Sequence, residues 1–230
     1  MLVQVATTVG CGPDRDLDPL GVVVTVPTVG ARHPAGTPLR VRFDGYLRAD
    51  TAWDMVATLT SGELAARVDV DYDPVEMGLV ISAGLDLRVG VGYTLTVRAD
   101  AIEGVDGRVL DEDLVLDFVA GNPRAPVSAE RGPTTFGEVA PIFERACNTC
   151  HGAEPGTWPP LTADALVGAP SRRRPGRTLV VPGDPLSSEL VTRILPDYPG
   201  TLGAPMPPEG ALAPEDQKRI IDWVKGVDRP

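Results

Sequence analysis

The sequence predicts a chain of two domains, an antiparallel β-sandwich followed by a small all-α domain. Short segments of alternating apolar and polar residues follow one another from about Gly21 to Ala120. A Pro-rich, apolar-poor stretch comes next, at residues 121–134, and is typical of a linker. Beyond it, helix-capping signals precede stripes of apolar residues at helical spacing. The 25 Gly and 24 Pro in 230 residues agree with many turns and short elements.

The β-sandwich prediction rests on the short strands expected within residues 21–120, about seven in number, each with one polar face. Turn-forming Gly, Pro, Asp and Asn residues separate them. The clearest candidates are Val22–Val24, Leu39–Phe43, Val68–Tyr72, Leu79–Ile81, Tyr93–Val97 and Leu114–Phe118. Strands of this length and pattern are typical of two antiparallel sheets that pack face to face.

The all-α prediction for residues 135–230 rests on local helix signals. Thr135 and Glu138 form a capping box at the start of a helix that ends near two cysteines. Asp184 precedes a proline at the first position of another helix, and Pro214 opens the last one. Because large apolar side chains are few in this part, we expect a thin core that a buried cofactor completes.

The chain is acidic, and its charge is unevenly distributed. The formal net charge is −11, and residues 1–120 hold 9 Lys and Arg against 19 Asp and Glu. An acidic surface repels phosphates, so we expect neither nucleic acid nor an anionic lipid surface as a partner. No run of about 18 apolar residues occurs, and we therefore expect no transmembrane span.

Residues 1–20 are predicted to be the remnant of a secretion signal or a disordered N-terminus. Thr8-Val-Gly-Cys11 resembles a bacterial lipoprotein cleavage box, in which Cys11 becomes the acylated first residue. Thr8 stands where Leu is usual, and the basic start of a signal is missing. A lipid anchor on Cys11, an incidental cysteine and a start site placed too far downstream therefore remain open.

The residues that carry chemistry are Cys147, Cys150 and His151, which form a C-x-x-C-H motif. This spacing is that of covalent haem c attachment. One helical turn places both thiols beneath the two porphyrin vinyl groups, and the adjacent imidazole supplies the proximal iron ligand. A C-x-x-C redox pair would be expected beside a βαβ pattern, and none is present. A zinc site needs four ligands, and the remaining Cys11 and His33 lie in the other part of the chain.

Met206 is the predicted second axial ligand of the iron. It lies in Gly203-Ala-Pro-Met-Pro-Pro208, a proline-braced loop that neighbouring helices can hold against the opposite face of the haem. The usual gap-filling methionine of a helical core is not followed by two prolines. His33 is a rival ligand that we expect on an exposed loop beside Pro34, and Lys218 is expected to face water.

Asp69, Asp71 and Asp73 imitate the start of a calcium-binding loop. The Gly and Glu that such a loop requires are replaced by Pro74 and Val80. We therefore interpret the three carboxylates as the solvent-facing side chains of a strand.

A basic cluster in this acidic chain consists of Arg172, Arg173, Arg174 and Arg177. A solvated loop is the simplest interpretation. Two alternatives are the pairing of a guanidinium group with a haem propionate, which suits the bidentate geometry of arginine, and a docking patch for an acidic redox partner.

Residues 21–120 resemble bacterial immunoglobulin-like domains. The resemblance is carried by Gly36–Phe43, Gly92–Val97, Gly104–Leu110 and a final strand at Leu116–Phe118. In that family the domain acts as a spacer or an adhesion platform at the cell surface. The resemblance therefore implies no catalytic residues in this part of the chain.

Residues 135–228 resemble the cytochrome c family, and in particular its planctomycete-type c domains. The shared segments are Pro141–Phe143, Cys147–Gly152, Val181–Pro185, Ser188–Leu190, Met206–Pro208 and Ile221–Val224. The resemblance implies a class I-like cytochrome c fold with one covalent haem on Cys147 and Cys150. It also implies that His151 and Met206 are the axial ligands of the iron.

We therefore expect a monohaem c-type cytochrome that transfers single electrons in the bacterial periplasm, at the cell surface or at the outer membrane. Its partners would be redox proteins of unknown identity. Because both axial positions are filled, the iron has no open position for oxygen or peroxide, and we expect an electron carrier and no catalytic residues. The alternatives are a haem-containing surface binding or sensor protein and, if Met206 dissociates, a peroxidase-like enzyme.

Overall fold

The computed structural model describes residues 18–83, 87–123, 133–152, 160–201 and 203–228. The candidate lipid anchor at Cys11 lies outside these ranges, as does most of the predicted linker. Among the helices of the described ranges, none is both long enough and apolar enough to cross a membrane.

Nine β-strands occur in the described ranges and form two sheets. Their bounds are β1 Val22–Val26, β2 Arg32–Pro34, β3 Leu39–Phe43, β4 Ala57–Ser61, β5 Leu64–Ala66, β6 Val68–Asp73, β7 Gly78–Ala83, β8 Gly92–Val97 and β9 Leu114–Gly121. The four-stranded sheet has the order β1-β3-β7-β6, and the five-stranded sheet has the order β2-β9-β8-β4-β5. Neighbouring strands are antiparallel except β2 and β9, which are parallel.

One apolar core lies between the two sheets. Strand β3 shows how the sequence builds it, because every second residue, from Leu39 to Phe43, is buried while the two arginines between them are exposed. A strand directs successive side chains to opposite faces, so this alternation gives β3 one solvent-exposed face and one buried face. Leu95 and Leu116 reach the same core from the other sheet. Full burial of one such side chain stabilises the fold by ~1.5–3 kcal/mol.

Five α-helices lie in the C-terminal part of the described chain. Their bounds are α1 Phe136–Ala146, α2 Asn148–His151, α3 Ala163–Leu166, α4 Glu189–Ile194 and α5 Pro214–Gly226. Helix α1 begins with the predicted capping box, in which the Glu138 carboxylate accepts a hydrogen bond from the Thr135 backbone N–H at 2.7 Å. Helix α5 begins with proline, whose missing N–H is not needed in the first turn.

Three aromatic side chains join the two longest helices. Phe136 and Phe143 of α1 both contact Trp223 of α5, with ring centroids 5.3 and 6.3 Å from the indole. Both contacts have edge-to-face geometry, which is worth ~0.5–1.5 kcal/mol per pair beyond the burial of area. Helix α1 is held by this contact, since 11 residues are too few for a stable isolated helix.

The predicted fold class, an immunoglobulin-like sandwich followed by an all-α class I-like cytochrome c domain, is wrong. Most of the regular structure is β-sheet, and three of the five described helices have only four to six residues. Isolated β-bridges also join Val167 to Val180, and Thr178 to Pro170 and Ser188. The physical reason is the frequent Pro and Gly between residues 168 and 185, which stop helices and favour turns.

The helical part packs directly against the sheets. The Tyr46 hydroxyl donates a hydrogen bond to the Pro196 carbonyl oxygen at 2.6 Å. The Tyr46 ring lies 4.9 Å from the ring of Tyr198, between centroids, and is buried with the core of the helices. Burial raises the pKa of Tyr46 to about 12, so its hydroxyl stays a donor throughout the neutral range.

Helix α5 lies beside strand β6, which is at an edge of the four-stranded sheet. The Lys218 ammonium group contacts the carboxylates of Asp73 at 3.1 Å and Glu76 at 2.8 Å, and Lys225 contacts Asp71 at 2.7 Å. Residues seven apart share a helix face, and residues two apart share a strand face. Lys218 and Lys225 on the helix can therefore face Asp73 and Asp71 on the strand. The prediction that Lys218 faces water is therefore only partly met: its side chain is 37% exposed, and two carboxylates hold its ammonium group against the sandwich.

Replacing Lys218 by Ala should lower the free energy of unfolding at neutral pH by ~0.2–1 kcal/mol, since the ion pairs are partly exposed. The hydrogen bond from Lys218 lowers the pKa of Glu76 below its ordinary 4.5. The stabilisation is therefore present above pH 4.5 and is lost as the pH falls through the lower, folded-state pKa. Urea unfolding of both chains at neutral pH and at about pH 3 measures this difference.

Arg219→Ala is the matched control, because Arg219 is an exposed cation next to Lys218 on the same helix. A loss of stability that is equal for the two variants, or that does not shrink in acid, would show that the contact between α5 and β6 does not form.

Candidate functional site

The C-x-x-C-H residues lie at the junction of α1 and α2. Cys147 is the residue at which α1 ends, and its N–H donates to the Phe143 carbonyl oxygen at 2.9 Å. The N–H groups of Cys150 and His151 donate to the Cys147 carbonyl oxygen at 3.2 and 2.9 Å. The buried face of α1 fixes the start of this turn. The structure therefore brings the three predicted residues together on one helical turn.

The two thiols differ in exposure, and they are not joined in a disulfide. Cys147 is half-buried and packs against the apolar core of the helices, whereas Cys150 is exposed. Burial raises the pKa of the Cys147 thiol, and the nearby Arg145 cation opposes this shift. Burial also lowers the pKa of the half-buried His151 imidazole. The neutral imidazole is the form that binds a metal ion.

In the ranges that the structure describes, no three His, Cys, Asp or Glu side chains are grouped so that they could hold a metal ion. Cys147, Cys150 and His151 are described, so by themselves they do not form a site for a bare ion.

Met206 lies on a separate loop that is hydrogen-bonded to α4. Its backbone N–H donates to the Arg193 carbonyl oxygen at 2.8 Å, and the Arg193 guanidinium group donates through Nη1 to the Ala204 carbonyl oxygen at 3.0 Å. Met206 itself is half-buried. The structure thus groups the C-x-x-C-H residues at the junction of α1 and α2, and it holds the loop of Met206 against α4.

The rival ligand His33 is built into the β-sandwich. It is only 4% exposed, which contradicts the expectation of an exposed loop. Its Nε2 atom lies 2.9 Å from the Thr37 hydroxyl, and its ring meets Phe118 edge-on at 5.9 Å between centroids. The physical reason is the parallel pairing of β2 with β9, which places His33 opposite Ala120.

One buried acidic group on α4, Glu189, was not singled out by the sequence, and Arg177 was considered only as one member of the basic cluster. Glu189 is 5% exposed, and its carboxylate lies 3.7 Å from the Nε atom of Arg193, four residues further along the helix. The second Glu189 oxygen and the Nε atom of Arg177 are buried without hydrogen-bond partners among the described residues. The Glu-to-Arg spacing of four was visible in the sequence as a helix pair, but its burial was not.

Comparisons with known proteins found matches only among solved structures. No family model and no curated protein matches the sequence. PcoC, a methionine-rich copper resistance protein from Escherichia coli, is 15% identical with a TM-score of 0.37, and the match covers 45% of this chain and 99% of PcoC. CopC from Methylosinus trichosporium OB3b is 16% identical with a TM-score of 0.33, over 47% and 99% of the two chains. The N-terminal part of the bacterial S-layer protein SbsC is 16% identical with a TM-score of 0.34, over 45% and 26%.

The predicted resemblances to the cytochrome c family over residues 135–228 and to immunoglobulin-like domains over residues 21–120 are wrong. No family model of either kind matches, and most of the regular structure of the described residues is β-sheet. The resemblances rested on motifs of a few residues each, and short motifs specify local chemistry and turns without specifying a fold. The ligand of Cys147, Cys150 and His151 must therefore be inferred from the chemistry of these three residues.

In the cofactor-free full chain, we expect Cys150 to be alkylated several times faster than Cys147. Cys150 is exposed, whereas Cys147 is half-buried and has a raised pKa that lowers its thiolate fraction. Timed reaction with iodoacetamide, followed by peptide mass mapping, measures both rates and separates them from that of Cys11. The urea-unfolded chain is the control, in which the two rates should converge. Equal rates in the folded chain would show that Cys147 is not packed against the helices.

Proposed function

We propose that this chain is a one-electron carrier that holds one haem covalently through Cys147 and Cys150, with His151 and Met206 as the axial ligands of the iron. The observation that carries the proposal is the single helical turn that presents two unpaired thiols and an imidazole together. This proposal rests on the chemistry of the residues and not on a family.

The residues present fit a haem in two respects. Two thiols with an adjacent histidine are the donor set that covalent haem attachment requires. The buried Nε atom of Arg177, which has no acceptor among the described residues, is a donor suited to a carboxylate such as a haem propionate. We therefore assign Arg177 as the group that would bind a propionate.

Each cysteine would form one thioether bond. The Sγ–H of Cys147 or Cys150 would add across a vinyl double bond, with a carbon–sulfur bond formed and the proton passed to the other vinyl carbon. No external oxidant is consumed in this addition. Because the turn from Cys147 to His151 sets the separation of the two thiols, both bonds would fix the cofactor to the helical turn on which His151 lies.

The axial residues decide which chemistry is available. The bound group supplies reversible exchange of one electron between ferrous and ferric iron. Burial lowers the pKa of the His151 imidazole, which favours the neutral form that binds iron. The Met206 thioether is a soft donor that would favour ferrous iron. If His151 and Met206 both bound the iron, the chain would support electron transfer and not oxygen or peroxide chemistry.

We place this function outside the bacterial cytoplasm, in the periplasm or at the cell surface. Two unpaired cysteines three residues apart would tend to oxidise in such a compartment, and thioether formation removes both thiols. The partners are redox proteins, and a lipid anchor on Cys11 would hold the carrier at the membrane surface.

The test is maturation of the full chain with a haem c assembly system. We expect the mass of one haem to stay bound after denaturation, together with a sharp reduced absorption band. A weak far-red sulfur-to-iron band should be present in the wild type and lost in Met206→His. Met55→Ala is the matched control, because Met55 is an exposed methionine of the sandwich and its loss should leave the band unchanged.

Three results would count against the proposal. Lack of covalent haem in the wild type would contradict it as a whole and leave a disulfide or metal role for the cysteines. Covalent haem without the sulfur band would remove Met206 as a ligand. Rapid binding of CO or cyanide by the resting protein would favour a peroxidase-like enzyme or a sensor over a carrier.

A further inference from the structure

The segment that carries Met206 is held by one residue of α4. The Nη1 atom of Arg193 donates to the Ala204 carbonyl oxygen at 3.0 Å, and the Arg193 carbonyl oxygen accepts from the Met206 N–H at 2.8 Å. Pro205, between the two, has no N–H to donate. A single arginine therefore holds the backbone on both sides of this proline, through its side chain and through its main chain.

Gly203 gives the loop its turn beside the guanidinium group. Its φ is +87°, a left-handed conformation that residues other than glycine disfavour. A Cβ atom at this position would lie 3.4 Å from Nη1 of Arg193, at the near limit of ordinary van der Waals contact. The loop backbone therefore passes close to the arginine at a position that favours glycine.

Arg193 is itself fixed in place. Its side chain is 11% exposed and that of Glu189 is 6% exposed, with 3.7 Å between Nε and the carboxylate. A pair with so little exposure is costly to break, because a lone charge would stay buried. Val191 and Ile194, on the same short helix, are buried in the core of the helices and pack α4 against it.

This arrangement differs from that of a methionine that fills a core. Met206 is half-buried, and among the described residues it is not one of the apolar side chains packed on the core of the helices. The hydrogen bonds are made by its backbone and by its neighbour, and no described residue is hydrogen-bonded to its thioether. A fixed backbone beside a thioether without such a hydrogen bond suits a metal ligand on a loop.

We infer that Arg193 is a positioning residue that holds Met206 for ligation of the haem iron. The inference rests on the proposed function, because it names the group that sets the second axial ligand. Glu189 supports this role by orienting the guanidinium group of Arg193.

The test uses the matured full chain and the variants Arg193→Ala and Arg193→Lys. In Arg193→Ala we expect loss of most of the sulfur-to-iron band, CO binding by the reduced protein and a lower midpoint potential, since Met ligation raises the potential. Arg193→Lys keeps a charged donor for the Ala204 carbonyl and should restore part of the band. Lys225→Ala, which removes the ion pair with Asp71 at the surface of the sandwich, is the control and should leave all three readouts unchanged.

A measurement on the haem-free chain tests whether Arg193 holds the loop of Met206, independently of any ligation of iron by Met206. In the haem-free full chain, the backbone amide of Met206 should exchange with solvent roughly fivefold faster in Arg193→Ala than in the wild type, as expected from the loss of one hydrogen bond. Unchanged exchange would show that Arg193 does not hold the loop and would overturn the inference.

The outcomes for the two proposals differ. Covalent haem with an unchanged sulfur band in Arg193→Ala would overturn the role of Arg193 and leave the electron carrier intact. Lack of covalent haem in the wild type would overturn the proposed function, and with it the ligation that Arg193 is inferred to support.

Discussion

The contact of α1 with α5, formed by Phe136, Phe143 and Trp223, is the interaction on which the candidate site depends. Helix α2 has only four residues, so its conformation comes from the end of α1 and not from its own hydrogen bonds. Helix α5 also carries the lysines that pair with strand β6. The same helix therefore fixes the cysteine turn on one side and the sandwich on the other.

Much of the local structure could be predicted from the sequence, but its assembly could not. The alternation of Leu39 to Phe43 and the capping box at Thr135 are set by neighbouring residues, and both occur. The burial of His33 depends on pairing with a strand more than eighty residues away, and no local pattern reports such a pairing. The β-bridges of Thr178 likewise depend on contacts that the helical spacing of apolar residues does not report. The all-α prediction therefore missed them.

The candidate site, too, could be predicted from the sequence only in part. Cys147, Cys150 and His151 are adjacent in sequence, and one helical turn is enough to bring them together. Met206 could be proposed from its flanking prolines, but the residue that holds it could not. Arg193 meets the loop only because α4 turns its carbonyl and its side chain toward the same segment, which is a property of the folded chain.

The half-burial of Cys147 bears on the order of events during biogenesis. Once α1 has docked, this sulfur atom packs against the core of the helices and is less accessible than its partner at Cys150. If the chain carries the proposed haem, an enzyme that attaches it would reach both thiols more easily before α1 has docked. Docking of α1 against α5 would then follow attachment.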